Sequence, residues 1–197
     1  MMAKTLESEL FRRRFDDGVL DLIAGLAIFG IGMGWIFGQV IFAAILPTLL
    51  WPFWSVIHKS VVVPRLGDVE FSDTRKAKIS AAHIGLLVLG AVSCAFGVLA
   101  FALVEGWIES IREVTVPLVL LVPSLVMAVA AIVGYLMIGA LRMLVYALVF
   151  IASGAVFQLV LPYDPAHSLA VGGAVPMVAG AVMLIRFLRA HPVARGD

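Results

Sequence analysis

Five polar side chains lie within or at the ends of long apolar segments, and their types could support acid–base or metal chemistry. Ionisable groups inside a membrane are functional candidates because burying them there is unfavourable. The two histidines and the aspartate lack the spacing of a metal-ligand motif, so we predict no metal site. The residues of this predicted inner-leaflet cluster are Asp21, His58, His83, Arg142 and Tyr146. We expect Asp21 to face the protein interior and to contact one of three partners, which are Arg142, His83 and His58.

Catalytic motifs are absent from the sequence. It contains no HExxH, no GxSxG, no phosphate-binding loop and no paired-carboxylate motif. The spaced acids Asp68, Glu70 and Asp73 have no histidine nearby and are typical of a solvated loop. We therefore predict no catalytic residues, no cofactor and no enzymatic activity.

The elements that position these residues are membrane helices, as the composition indicates. Of 197 residues, 62% are hydrophobic and 14% are charged, whereas soluble domains are about 45–50% apolar and about a quarter charged. A membrane-spanning helix needs about 20 mostly apolar residues. Six segments approach this length, so we predict an all-α integral membrane protein, a bundle of six transmembrane helices. The predicted spans are residues 18–36, 40–57, 80–104, 116–138, 143–161 and 169–188.

The basic residues indicate the orientation of these spans. Of the 14 Lys and Arg residues, only Arg112 would lie on the opposite side from the rest. Because Lys and Arg accumulate on the cytoplasmic side, we predict a multi-pass protein of the bacterial inner (plasma) membrane with cytoplasmic N and C termini. Residues 18–57 contain Pro47 and Pro52, and a re-entrant hairpin there would give the same orientation as two full spans.

This map divides the chain into five regions. A cytoplasmic amphipathic arm (1–17) precedes the first transmembrane hairpin (18–57). A cytoplasmic loop (58–79) leads to four further transmembrane helices (80–188) and a cytoplasmic tail (189–197).

The arm and the 58–79 loop hold most of the unusual polar sequence. Leu6, Leu10, Phe11 and Phe15 lie close to one helical face of the arm, so we predict a short amphipathic helix on the membrane surface. In the loop, the β-branched residues 61–63, the turn residues 66–68 and the alternation that follows predict a small β-hairpin. The predicted lipid or partner surface, here called the cytoplasmic surface, consists of Arg12, Arg13, Arg14, Arg65, Phe71, Arg75, Lys76 and Lys78.

Two short motifs resemble those of a group of small, largely uncharacterised bacterial inner-membrane proteins. In that group, a PRxGxVxF-like cytoplasmic segment lies between hydrophobic helices and an RFLRxxP-like ending closes the last span. The resemblance covers about a tenth of the chain and implies a bacterial source without implying an activity. The matching residues are Pro64, Arg65, Gly67, Val69 and Phe71, then Arg186, Phe187, Leu188, Arg189 and Pro192.

Small residues at four-residue spacing predict close helix packing. Gly30, Gly34 and Gly38 form such a ridge, and glycine ridges let helix backbones approach one another in membranes. The same ridge would serve packing within the bundle or self-association into a homo-oligomer, and the sequence leaves both open.

A non-catalytic binding protein is the function that these patterns favour. We expect it to bind membrane lipids, including anionic ones, or a protein partner on the cytoplasmic side, and we expect no nucleic-acid partner. The alternative is a small transporter or channel for a neutral or lipidic substrate, because no ionisable group reaches the outer half of the predicted spans.

Overall fold

A computed structural model describes residues 16–66, 112–160 and 165–192 of the chain, and the regular structure in these ranges is helical. Two π-helical segments, His58–Val62 and Val156–Val160, directly follow the second and fifth α-helices. The α-helices are α1 Val19–Ile36, α2 Val40–Ile57, α3 Val63–Leu66, α4 Arg112–Ile138, α5 Arg142–Ala155 and α6 Pro165–Ala190.

The chain divides into two compact units. The first comprises residues 1–72 and 173–197, and the second comprises residues 73–172. Helix α6 therefore contributes its first turns to the second unit and the rest to the first.

In the first unit, α1 and α2 form a hairpin around a glycine turn. Gly38 has a φ of 70°, a left-handed conformation that glycine adopts without a steric penalty. The amide groups of Gly38 and Gln39 donate hydrogen bonds to the carbonyls of Trp35 (3.0 Å) and Gly34 (2.6 Å). These bonds satisfy carbonyls that the end of α1 would otherwise leave unbonded.

Glycines also allow α6 to lie directly against α1 in the first unit. A Cβ atom added at Gly180 would collide with the backbone of Leu22, and one added at Gly173 would collide with the backbone of Phe29. Such close contact maximises van der Waals packing between membrane helices. Any larger residue at these positions would force the two helices apart.

In the second unit, α4 and α5 form a hairpin around Gly139, whose φ is 74°. Small residues again fill the helix contacts. A Cβ atom added at Gly154 of α5 would lie 2.7 Å from the Cβ of Ser124 of α4, and one at Gly172 of α6 would meet the ring of Phe150.

The prediction of a six-span bundle is wrong. Within the ranges the structure describes, three helices are long and apolar enough to cross a membrane, namely Val19–Ile36, Leu121–Ile138 and Pro165–Ala190. The predicted fifth span, 143–161, is not one of them, because the apolar helix there is Arg142–Gln158. At 1.5 Å per residue its 17 residues cover about 26 Å of a hydrocarbon core of about 30 Å. The predicted third span, 80–104, lies outside the described residues.

The prediction of a β-hairpin in the 58–79 loop is also wrong, because the described part of that segment, up to residue 66, is helical. The chain continues from α2 through the first π-helical segment into α3. A proline inside a regular α-helix clashes with the carbonyl four residues earlier, and Pro64 follows the π-helical segment as the second residue of α3. Burial of Val62, which is 1% exposed, outweighs the weak β preference of the three valines.

The remaining parts of these predictions lie outside the described residues. They are the amphipathic arm up to residue 15, the loop from residue 67 to 79, and the tail from residue 193.

Candidate functional site

The most polar buried site in the first unit lies where α1 begins and α2 ends. The Asp17 carboxylate accepts a hydrogen bond from the backbone amide of Val19 at 2.9 Å. Its other oxygen lies 3.3 Å from Nδ1 of His58, and the two side chains are 2% and 6% exposed. Asp17 thus holds the first turn of α1 and contacts the first residue of the π-helical segment with the same carboxylate.

The imidazole of His58 is positioned from its own helix as well. Its ring stacks on that of Trp54, with centroids 5.4 Å apart and planes 21° from parallel. The last turn of α2 thus supplies the aromatic surface, and the π-helical segment that continues it supplies the histidine. The stacking fixes the plane of the ring, whose Nδ1 lies 3.3 Å from the Asp17 carboxylate.

A second polar contact joins the segment after α2 to the end of α6. The guanidinium of Arg65 donates from Nε to the carbonyl of His191 at 3.0 Å and from Nη1 to the carbonyl of Val61 at 2.5 Å. The carbonyls at the end of a helix carry partial negative charge, so a cation there is favourable. The imidazole of His191 stacks on the ring of Phe187 at 4.8 Å.

An apolar core lies beside these polar contacts. Val19, Val62 and Phe187 are buried together with Ile23, and Leu184 packs against them. The core therefore joins the start of α1, the π-helical segment and the last turns of α6. We call this site the polar junction, and define it as Asp17, His58, Arg65 and His191.

The second unit contains a buried site of a different kind, a serine cluster formed by Ser124, Ser153 and Ser168. The hydroxyl of Ser168 donates to the carbonyl of Pro165 at 2.7 Å. Because this bond uses the one hydroxyl hydrogen of Ser168, Ser124 is the donor in the 2.8 Å hydrogen bond between the two hydroxyls. The Ser153 hydroxyl approaches the carbonyls of Phe150 and Ser168 at 3.2 and 3.3 Å. Neutral hydroxyls thus connect α4, α5 and α6.

The predicted inner-leaflet cluster is distributed over both units. Asp21 and His58 are buried in the first unit, and Tyr146 is buried and Arg142 half-buried in the second. His83 lies outside the described residues. The carboxylate 3.3 Å from His58 is that of Asp17. A contact of Asp21 with Arg142, His83 or His58 stays a prediction.

The predicted cytoplasmic surface has one described member, Arg65. Its side chain is half-buried and bonds within the protein, to Val61 and His191. The other members lie outside the described residues, and they are Arg12, Arg13, Arg14, Phe71, Arg75, Lys76 and Lys78.

The predicted glycine ridge is divided between a helix and a turn. Gly30 approaches the side chain of Leu46 in α2, and Gly34 is buried in α1. Gly38 lies in the turn, where an added Cβ atom would meet nothing within 4 Å. Among the described residues, the glycines that contact helix backbones directly are Gly18, Gly25, Gly173 and Gly180.

Two residues of the polar junction were not predicted as site residues, Asp17 and His191. Asp17 has a sequence signal, since an Asp before a glycine and an apolar run is typical of a side chain that bonds the backbone two residues later. His191 follows the last turn of α6 and contributes its carbonyl to Arg65, which any residue type could do. The sequence has no signal for that contact.

Neither a group of metal ligands nor a comparison with known proteins indicates a further site. Within the described ranges, no group of three or more His, Cys, Asp or Glu side chains could hold a metal ion. Comparison with protein families, with curated proteins and with solved structures finds no match to this chain.

Proposed function

We propose that the protein is a multi-pass protein of a bacterial inner membrane, with both termini in the cytoplasm. In this proposal it has no catalytic activity and binds lipid or a protein partner through its arm (1–17) and the 58–79 segment. Support for membrane insertion comes from the three helices that are long and apolar enough to cross a bilayer.

The distribution of exposed charge in the first unit is the observation that carries this proposal. The exposed charged side chains in its described part are Asp16, Lys59, Arg186 and Arg189. All four lie close in sequence to residues of the polar junction or its apolar core. Away from the junction, the large exposed side chains of the described part are apolar except for Gln39 in the turn, as expected for surfaces in contact with lipid. Charge therefore accumulates at the end of the unit that bears the arm and the start of the 58–79 segment.

Affinity capture in mild detergent tests whether the 58–79 segment binds a partner. We would replace residues 67–74 with a Gly-Ser sequence of the same length, which leaves Arg65 and the polar junction in place. We expect this variant to lose proteins that the intact chain captures. A matched control replaces residues 104–111, on the predicted opposite side, and should retain them. If both variants capture the same proteins, partner binding by residues 67–74 is excluded.

Passage of a neutral or lipidic substrate is a second candidate function. It is favoured by the two π-helical segments, His58–Val62 and Val156–Val160, because π-helical turns in α-helices occur frequently at functional sites. A flux assay in liposomes separates the two functions. A binding protein leaves the flux at the level of empty liposomes, and a transporter raises it.

A further inference from the structure

Helix α2 carries an exposed apolar stripe that ends in a cation. Leu49, Phe53 and Val56 are 56, 56 and 60% exposed, and Lys59, three residues further, is exposed as well. Residues three or four apart lie on the same side of a helix. The stripe therefore runs along α2 towards the polar junction, and the Cα of Lys59 lies about 5 Å further along the helix than that of Val56.

Helix α6 carries a second stripe of the same kind. Val178, Val182 and Ile185 are 57, 42 and 50% exposed, and they lead to the exposed side chains of Arg186 and Arg189. The spacing of three and four residues again places them on one side of the helix. Val182 and Arg189 are separated by about 10 Å along the axis.

Both stripes end at the polar junction. Val62, in the same π-helical segment as Lys59, is buried with Phe187, which is next to Arg186 in the chain. The bond from Arg65 to the carbonyl of His191 fixes the same two chain segments. Three exposed cations thus lie at one end of the first unit, each beyond an apolar surface that runs along its helix.

We propose that Lys59, Arg186 and Arg189 bind the phosphate groups of anionic phospholipids whose acyl chains lie along the two stripes. Guanidinium groups bind phosphate through two parallel hydrogen bonds, and ammonium binds it as a point charge. Asp16 is the one exposed acid in the described part of the unit, so the net charge of this surface is positive. The apolar stripes select a lipid over a soluble phosphate or a nucleic acid, since neither of these covers apolar surface.

This inference rests on the proposed insertion in a membrane but not on binding by the arm or the 67–79 sequence. Basic residues can also serve only to orient a protein in the membrane. The proposed site differs because particular side chains bind the phospholipid headgroup. A site made of particular side chains binds lipid with a measurable affinity in detergent. Orientation of the protein by positive charge, in contrast, requires a bilayer.

Native mass spectrometry of the full-length protein in detergent tests the proposal, with phosphatidylglycerol and phosphatidylcholine as probes. We expect the intact protein to bind phosphatidylglycerol at least about 20-fold more tightly than phosphatidylcholine, because each cation near an anionic lipid contributes about fivefold. The variant R186Q/R189Q should lose on the order of 20-fold in phosphatidylglycerol affinity. R186K/R189K, the matched control, retains both charges and should lose much less.

Several results would overturn the proposal. One is equal affinity for the two lipids in the intact protein, and another is unchanged phosphatidylglycerol affinity in R186Q/R189Q. Unchanged phosphatidylcholine binding and helix content show that R186Q/R189Q is folded. If that variant does not fold, K59Q provides the test, with a smaller expected loss of phosphatidylglycerol affinity. The variant R12Q/R13Q/R14Q separates the two proposals. If only this variant loses affinity, the arm binds the lipid and the site proposed here does not exist.

Discussion

The polar junction of the first unit and the serine cluster of the second stabilise helix contacts by different chemistry. The junction uses a carboxylate, an imidazole and a guanidinium, whereas the cluster uses three hydroxyl groups and backbone carbonyls. Ionised groups need partners once they are removed from water, so the loss of one partner leaves an uncompensated charge. A hydroxyl that loses its partner can rotate towards another nearby carbonyl. The junction should therefore be much more sensitive to single substitutions than the cluster.

Substitution of His58 by alanine should have the largest effect. It leaves the carboxylate of Asp17 buried without the imidazole and removes the ring that stacks on Trp54. We expect a loss of about 3 kcal/mol in the free energy of unfolding, measured by denaturation in mixed micelles. The control is His167→Ala, which removes a half-buried histidine that stacks on Phe157 with centroids 6.0 Å apart, and it should lose about 1 kcal/mol. Equal losses in the two variants would mean that the Asp17–His58 contact contributes no more to the free energy of unfolding than the His167–Phe157 contact.

Substitution of Arg65 by glutamine should have an intermediate effect. It removes the bond to the His191 carbonyl, which joins the segment after α2 to the end of α6. We expect a loss of about 1.5 kcal/mol, together with faster amide hydrogen exchange in the last turn of α6. Lys59→Gln, a neighbouring exposed cation, should change the free energy of unfolding by less than about 0.5 kcal/mol. Unchanged exchange in Arg65→Gln would contradict a role for Arg65 in holding that turn.

Substitution of Ser124 by alanine should have the smallest effect of the three. It removes the hydrogen bond to Ser168 but keeps the Cβ atom that packs on Gly154. Hydrogen bonds between membrane helices contribute about 0.6 kcal/mol on average, and we expect a loss of that size. A double-mutant cycle with Ser168→Ala isolates the bond itself, and a coupling energy near zero would show that the two hydroxyls act independently. The control is Ser60→Ala, which removes a hydroxyl that donates to carbonyls of its own helix.

Hydropathy predicts the helices of this chain better than their role or their contacts. The apolar segments 18–36 and 40–57 are helical over Val19–Ile36 and Val40–Ile57, because length and apolar composition are properties of each segment alone. The predicted number of spans is wrong, because three helices in the described ranges have the length and hydropathy of a span and the apolar helix Arg142–Gln158 is shorter. The change to π-helical geometry at Val156 is also something that hydropathy does not report.

The polar contacts were harder to predict than the helices, for a physical reason. Asp17 and His58 are at the ends of two apolar segments, and only the fold decides which acid meets the imidazole. Asp21 lies one turn further into α1 and is buried too, so depth in the sequence did not distinguish it from Asp17. The valines at 61–63 are a different case. Their local β preference predicts a strand, but the packing of Val62 against Val19 and Phe187 decides the structure.

The bond between Arg65 and His191 also constrains the order of events during synthesis, since its partners are 126 residues apart in the chain. At roughly 5–20 residues per second, about 6–25 s pass between the synthesis of one partner and of the other. During this interval α1 has no α6 to cover the surface that Gly25, Gly173 and Gly180 later bring together. A chain that stops before α6 would leave this surface of α1 uncovered. Completion of the last helix is thus also the step that closes the first unit.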